Sequence, residues 1–223
     1  LVLADSITSY GGAIISGCYA LEDLTIGFAG NEICVDETYS PFYISSDATG
    51  SALRNLTIRE GVEKIGDNVF CNYYPDGRWS HSRSGYPKIE CIQLPSTLKE
   101  IGEYAFYGVG CSKLEIPETV EKIGVYAFQN SKIDQLVLHG NNLLIDNYAF
   151  ANSQQLGQVI VLDGVGTIGY YAFSGCTSLT EIDMSQCKSL TKVCGMAFEN
   201  CTSLKTLVLA DSITSYGGAI ISG

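Results

Sequence analysis

The chain has 223 residues, 46% hydrophobic and 17% charged, which is enough apolar material for one sizeable core or one continuous stack. Asp and Glu number 24 against 13 Lys and Arg, giving a net charge of −11. That balance argues against nucleic acid and anionic membrane as main partners, because both reward clustered cations. No apolar run reaches the length of a bilayer span. The chain opens on Leu1-Val2-Leu3, in the middle of a phrase. It is therefore expected to be a piece of something longer, and the lack of a secretory leader says nothing about address.

One phrase organises the sequence. It is cleanest over residues 114–136: Leu114-x-Ile116, Val120-x-x-Ile123-Gly124, Ala127-Phe128, then Ile133-x-x-Leu136. Anchored on the second residue of the Ala-Phe pair, it recurs at Ile15, Phe42, Phe70, Phe106, Phe128, Phe150, Phe173, Phe198 and Ile221. The steps are 27, 28, 36, 22, 22, 23, 25 and 23 residues. A basic period of 22 to 23 falls in the leucine-rich-repeat range.

Five residues before the anchor sits Tyr10, Ile65, Ile101, Ile123, Ile145, Ile168, Val193 or Tyr216, and eight before it Ile7, Val62, Leu98, Val120, Val165, Leu190 or Ile213. Asn142 breaks the second column, and the Phe42 coil fits neither. Between anchors lie strand signals such as Leu53-x-x-Leu56-x-Ile58, Ile89-x-x-Ile92-x-Leu94 and Leu204-x-x-Leu207-x-Leu209. Alternation in their last three positions is the strand period. One strand per coil predicts a single parallel sheet. Gly11, Gly66, Gly102, Gly124, Gly169 and Gly217 recur after the branched or aromatic residue, which predicts a turn with positive φ. Asp146 and Cys194 replace that glycine in two coils.

The two ends carry a second signal. Leu1–Gly17 and Leu207–Gly223 are identical, residue for residue, at an offset of 206. This predicts a 206-residue super-repeat of eight coils, with the chain lying inside a longer array. A boundary drawn through a recent duplication would give the same identity.

The phrase L-x-x-I-x-[LI]-P-x-x-[VL]-x-x-I-G-x-x-A-F-x-x-C resembles that of the BspA-type leucine-rich-repeat proteins. It is carried here by residues 94–106, by residues 116–128 and by Ala172-Phe173-x-x-Cys176. The resemblance implies a non-enzymatic protein of the cell surface or exterior, which adheres to host proteins or other cells. The expected fold is a right-handed leucine-rich-repeat solenoid, one continuous domain over residues 1–223 of about eight coils, built of short parallel strands joined by turns or 3-10 segments.

Two insertions lengthen the period, over residues 27–52 and 72–88. The second holds Arg78, Trp79, His81, Arg83 and Tyr86. Loops leaving a rigid stack often carry binding, and Trp, Tyr and Arg are rich in interface energy. These residues are candidate partner contacts, or else aromatics folded back over the stack. The first insertion carries Glu32, Asp36, Glu37 and Asp47 without the spacing of a calcium loop. On the strands, the outward middle positions Val137 and Ile160 fall on adjacent coils. They form either a small apolar contact patch or simply good strand formers.

Gly164-x-Gly166-x-x-Gly169 matches a dinucleotide fingerprint, with Asp183 at the distance of a ribose-binding acid. The repeat columns absorb it and leave no room for the helix a phosphate needs. Nine cysteines without Cys-x-x-Cys leave at least one thiol unpaired within the chain. Cys176, Cys187, Cys194 and Cys201 have enough sulfur for zinc, yet Cys176 and Cys201 lie three residues after an anchor, where a small buried group suits the turn. His81 and His139 make no triad by sequence. No cofactor or metal is expected. The expected partners are proteins, with end-to-end self-association as the structural alternative.

Overall fold

A computed structural model of the chain describes residues 1–7, 18, 20–28, 32–33, 53–71 and 89–222. The alternating stretches become short strands, numbered here in chain order. One parallel sheet runs through Asp23–Ile26 (β1), Asn55–Ile58 (β3), Cys91–Gln93 (β5), Lys113–Ile116 (β7), Gln135–Leu138 (β9), Gln158–Val161 (β11), Glu181–Asp183 (β13) and Thr206–Val208 (β15). Each coil places its strand beside the same strand of the next, so Leu114, Leu136, Val159, Ile182 and Leu207 occupy one inward row. The first four of these are almost wholly buried.

The expectation of a single sheet needs correcting. A second parallel sheet runs through Glu32–Ile33 (β2), Lys64–Ile65 (β4), Glu100–Ile101 (β6), Lys122–Ile123 (β8), Leu143–Ile145 (β10), Val165–Ile168 (β12), Lys192–Val193 (β14) and Ser215–Tyr216 (β16). Most of these strands have two residues, one inward and one outward. Alternation needs several residues to become visible, which is why this sheet showed in the sequence only as the single column five residues before the anchor, without a strand period. Among the described residues no helical segment occurs, and turns make the connections.

The anchor phenylalanines form the interior spine. Phe70, Phe106, Phe128, Phe150, Phe173 and Phe198 stack in one row, with neighbouring ring centroids 4.8, 5.0, 5.1, 5.3 and 5.6 Å apart. Their planes lie within 15° of parallel. All but Phe70 are at most 1% exposed. Burying one such side chain stabilises by roughly 1.5–3 kcal/mol.

A third line of hydrogen bonds joins the coils along this spine. In the Phe128 turn, alternate N–H groups donate to the next coil: Tyr126 to Asn147 C=O, Phe128 to Ala149 C=O and Asn130 to Ala151 C=O, at 3.2, 2.7 and 2.9 Å. The residues between them donate back within the turn, Ala127 to Gly124 C=O and Gln129 to Tyr126 C=O. Such a path requires left-handed backbone at two places per turn. One is Tyr104, Tyr126, Tyr148, Tyr171 or Met196, with φ between 53° and 57°. The other is Gly108, Asn130, Asn152, Gly175 or Asn200, the residue types that enter this region most readily.

The turn glycines were expected at positive φ, and this too is corrected. Gly102, Gly124, Gly169 and Gly217 have ordinary φ. Glycine is needed there because the coils touch. A Cβ on Gly124 would stand 2.8 Å from the carbonyl carbon of Gly102 and 2.9 Å from the Glu103 nitrogen. Gly164 combines both demands, with φ 93° and a virtual Cβ 1.9 Å from the Gly140 oxygen. The Gly164-x-Gly166-x-x-Gly169 motif thus packs one coil against another, and it runs into the strand β12 rather than a helix.

Candidate functional site

The sequence-predicted contact residues divide into two groups. Arg78, Trp79, His81, Arg83 and Tyr86 lie outside the described residues, as does most of the insertion over residues 27–52. Val137 and Ile160 are described, and the first sheet brings them together as register partners. They are not equally available: Val137 is 8% exposed and Ile160 39%. Val137 sits between Glu115 and Ile160 in its row, and only Ile160 stands out to solvent.

The outward row of this sheet runs Thr25, Thr57, Gln93, then Glu115, Val137, Ile160, Asp183, Val208. Its first part is tied to itself. Thr57 Oγ1 donates to Gln93 Oε1 at 3.1 Å, and beside it Asn55 Nδ2 donates to Asp23 Oδ1 at 2.7 Å. Arg54 meets Glu90 at 3.1 Å. Its second part mixes carboxylates with aliphatics: Glu115 is shared by Lys113 at 3.3 Å and His139 at 3.6 Å, and Asp183 accepts from the Ser185 N–H at 2.8 Å. That bond, with the Ser185 hydroxyl, holds the Asp183 carboxyl below its usual range.

The second sheet carries a charge ladder that its sequence did not advertise. Its outward row reads Glu32, Lys64, Glu100, Lys122 on successive coils. Lys64 Nζ lies 2.9 Å from Glu32, and Lys122 Nζ lies 3.5 Å from Glu100. The Glu32 contact raises the Lys64 pKa. The ladder lines a shallow groove of about 650 Å³. Its charges pair with one another, and exposed pairs of this kind contribute roughly 0–1 kcal/mol each.

A second open hollow, about 560 Å³, lies between His139, Asn141, Asp163 and Ser189. Asp163 is already occupied. Its Oδ1 accepts from the N–H groups of Gly164, Lys188 and Ser189 and from Ser189 Oγ, at 2.9–3.1 Å. The Ser189 hydroxyl and these amides keep its carboxyl below the ordinary range. It is a clasp between two coils, and Ser189 Oγ is turned to it rather than to His139.

The thiols follow the turn geometry. Cys176 Sγ donates to Phe150 C=O at 3.3 Å, Cys201 Sγ to Phe173 C=O at 3.2 Å and Cys187 Sγ to Val165 C=O at 3.3 Å. Ser153 Oγ makes the same bond to Phe128 C=O, one coil earlier. Burial pushes the Cys176 thiol up, and Cys201 to about 11. Among the described residues no group of three or more His, Cys, Asp or Glu is placed to hold a metal. A feature not predicted from the sequence is a half-buried tyrosine row, Tyr104, Tyr126, Tyr148 and Tyr171, stacked at 4.8–5.2 Å. Its signal was present, a Tyr two residues before the anchors Phe106, Phe128, Phe150 and Phe173.

A family model agrees with this repeat architecture. The model of the BspA type leucine rich repeat region matches residues 84–205 and 144–222, in six copies. Among curated proteins none matches. Similar solved structures include a leucine-rich repeat protein from Bacteroides ovatus, 20% identical, covering 95% of this chain and 79% of its own, with a TM-score of 0.42. A leucine rich cell surface protein from Faecalibacterium prausnitzii is 19% identical over 93% of this chain and 77% of its own, with a TM-score of 0.36. The pneumococcal vaccine antigen PcpA is 14% identical over 90% of this chain and 64% of its own, with a TM-score of 0.32. With phenylalanines stacked coil on coil from Phe70 to Phe198 and the family model matched from residue 84 to residue 222, well over half its length, the chain belongs to the BspA-type leucine-rich-repeat family.

Proposed function

We propose that the chain is a non-enzymatic repeat protein of the cell surface or exterior, which binds a protein partner through the outward face of the first sheet and through Arg78, Trp79, His81, Arg83 and Tyr86 of the insertion over residues 72–88. The observation that carries this reading is the face itself. Register-locked strands present carboxylates and aliphatics in one row, with Ile160 exposed between Val137 and Asp183. An outward sheet face with separated polar and apolar positions suits a macromolecule, whereas small molecules favour concave, mostly apolar pockets. Membership of the BspA-type family supports the same class of function.

The test is direct. Fluorescently labelled chain is titrated onto immobilised extracellular-matrix proteins and onto intact bacterial and epithelial cells. Saturable binding is expected to one of these surfaces. It should be lost in Ile160→Glu and in the Trp79→Ala/Tyr86→Ala double variant, with Tm moving by less than about 3 °C. Absence of binding, or binding untouched by both variants, refutes the proposal. A second reading is favoured by one specific observation, the identity of Leu1–Gly17 with Leu207–Gly223. It is a structural stalk built from tandem 206-residue units.

A further inference from the structure

The segment Leu1–Ile7 recurs as Leu207–Ile213, and the structure uses the two copies on opposite edges. The first copy lies along β1. The Leu1 amino group donates to Asp23 C=O at 2.8 Å, Thr25 N–H to Leu1 C=O at 2.8 Å, Leu3 N–H to Thr25 C=O at 2.8 Å and Gly27 N–H to Leu3 C=O at 3.2 Å. Val2 and Thr25 are Cα partners in a parallel bridge. Asp5 completes the contact: both its carboxylate oxygens accept from Arg59 Nη1 at 2.7 Å. Gly27 makes room for it, since a Cβ there would stand 1.9 Å from Asp5 Oδ1.

The second copy lies along β13. Leu207 pairs with Ile182 and Val208 with Asp183, and Met184 N–H donates to Val208 C=O at 2.9 Å. In a strand, the N–H and C=O of one residue point to one side and those of the next to the other. Val208 therefore faces β13, while Leu207 and Leu209 face away from it. Leu1 and Leu3, their equivalents, are the residues that bond to β1 in the first copy. The two uses engage different atoms of the same seven residues, so one segment is able to make both at once.

The side chains show the same half-completion. Ile182, Met184 and Leu190 of the neighbouring coil are fully buried, while their counterparts Leu207, Leu209 and Ile213 are only partly so. Val208 is 38% exposed. Asp211, the equivalent of Asp5, is exposed and has no partner among the described residues.

We propose that Leu207–Ile213 is a two-sided joint: it docks on β13 of one unit and on the β1 coil of a second copy of the unit, with Asp211 beside Gly27 and paired to Arg59 of that second copy. The occupant is named by the structure, because an identical segment already sits on that coil. The proposal rests on the tandem-unit reading above and supplies its interface.

The experiment uses a two-unit chain, in which residue 223 is followed directly by a second copy of residues 18–223, with the exposed Cys18 changed to Ser in both copies. Val208→Cys in the first copy is combined with Thr25→Cys in the second. Parallel Cα partners lie within disulfide reach, so mild oxidation should give a mobility shift that reductant reverses. The same pair made as Val2→Cys/Thr25→Cys in the single chain is the positive control, and Val208→Cys with Gln93→Cys of the second copy is the negative one. Arg59→Asp in the second copy should slow the crosslink at least about five-fold, and adding Asp211→Arg should restore it. If the positive control forms while Val208–Thr25 does not, or forms no faster than Val208–Gln93, the joint is refuted. The tandem-unit reading fails separately, if the parent gene holds no second 206-residue copy.

Discussion

Phe128→Ala probes the spine at its centre. Phe128 is 1% exposed and stacks on Phe106 at 5.0 Å and Phe150 at 5.1 Å, with planes 3° and 1° from parallel. Truncating a buried Phe costs about 3–5 kcal/mol, with the upper end reached where the site cannot collapse. Collapse is resisted here from both sides. Phe106 N–H donates to Ala127 C=O at 2.8 Å and Phe128 N–H to Ala149 C=O at 2.7 Å, so the backbone walls of the void are tied to each other. The removed ring also leaves Phe106 and Phe150 stacked on one side only, each lost contact contributing about 0.5–1.5 kcal/mol. The expected loss is about 4–5 kcal/mol, read as a lower urea midpoint at unchanged slope. Ile160→Ala, on the outward face, should cost no more than about 0.5–1 kcal/mol. A loss below about 1.5 kcal/mol in Phe128→Ala, or equal losses in the two variants, would refute a continuous stacked interior.

Gly124→Ala should lower stability by about 1–3 kcal/mol, although its φ is ordinary, because the added methyl meets the Gly102 and Glu103 backbone within 3.0 Å. A neutral outcome in thermal unfolding would show that the coils are not in contact there. Tyr126→Ala should cost about 1–2 kcal/mol, through the lost stack and an unrelieved left-handed backbone. Tyr126→Asn should cost less, since Asn tolerates that φ of 57°, and the reverse order would contradict the assigned turn. The buried thiols set an alkaline limit: burial pushes Cys111 up to about 12 and raises Cys176 also. Above about pH 8.5 the unfolded chain releases these protons while the native chain keeps them. The unfolded state then binds fewer protons, so stability falls as pH rises, by about 1.4 kcal/mol per pH unit per thiol. Denaturant titrations between pH 8 and 11 should show a shallower fall in Cys176→Ala, and an equal fall would refute the role given to this thiol.

The fold was largely legible in the sequence, because each coil repeats a side-chain requirement at a fixed spacing. Phe106, Phe128, Phe150 and Phe173 declared the spine, and Leu114-x-Ile116 declared the first sheet. The second sheet was not legible, since Lys122–Ile123 is too short to show a period. The glycine column was found but misassigned. Sequence alone does not separate a glycine needed for φ from one needed for close approach, and only the positions of the neighbouring coils place Gly124 in the second class. The positive φ sits instead on Tyr126, a residue type that normally avoids it. On the candidate surface, the pairing of Val137 with Ile160 followed from register, whereas their unequal exposure depended on neighbours that spacing does not reveal. The charge ladder of Glu32, Lys64, Glu100 and Lys122 was hidden because its members are dozens of residues apart, joined only by the stacking.

The central claim is that successive coils lie in register, so that each anchor ring touches only the rings before and after it. Nuclear Overhauser contacts between selectively labelled phenylalanines, assigned with single Phe→Leu variants, test this most directly. The Phe128 ring should contact the Phe106 and Phe150 rings, Phe150 should contact Phe173, and no contact should link Phe106 with Phe150. A Phe128 ring in contact with neither Phe106 nor Phe150 would contradict the stack and everything placed on its surface.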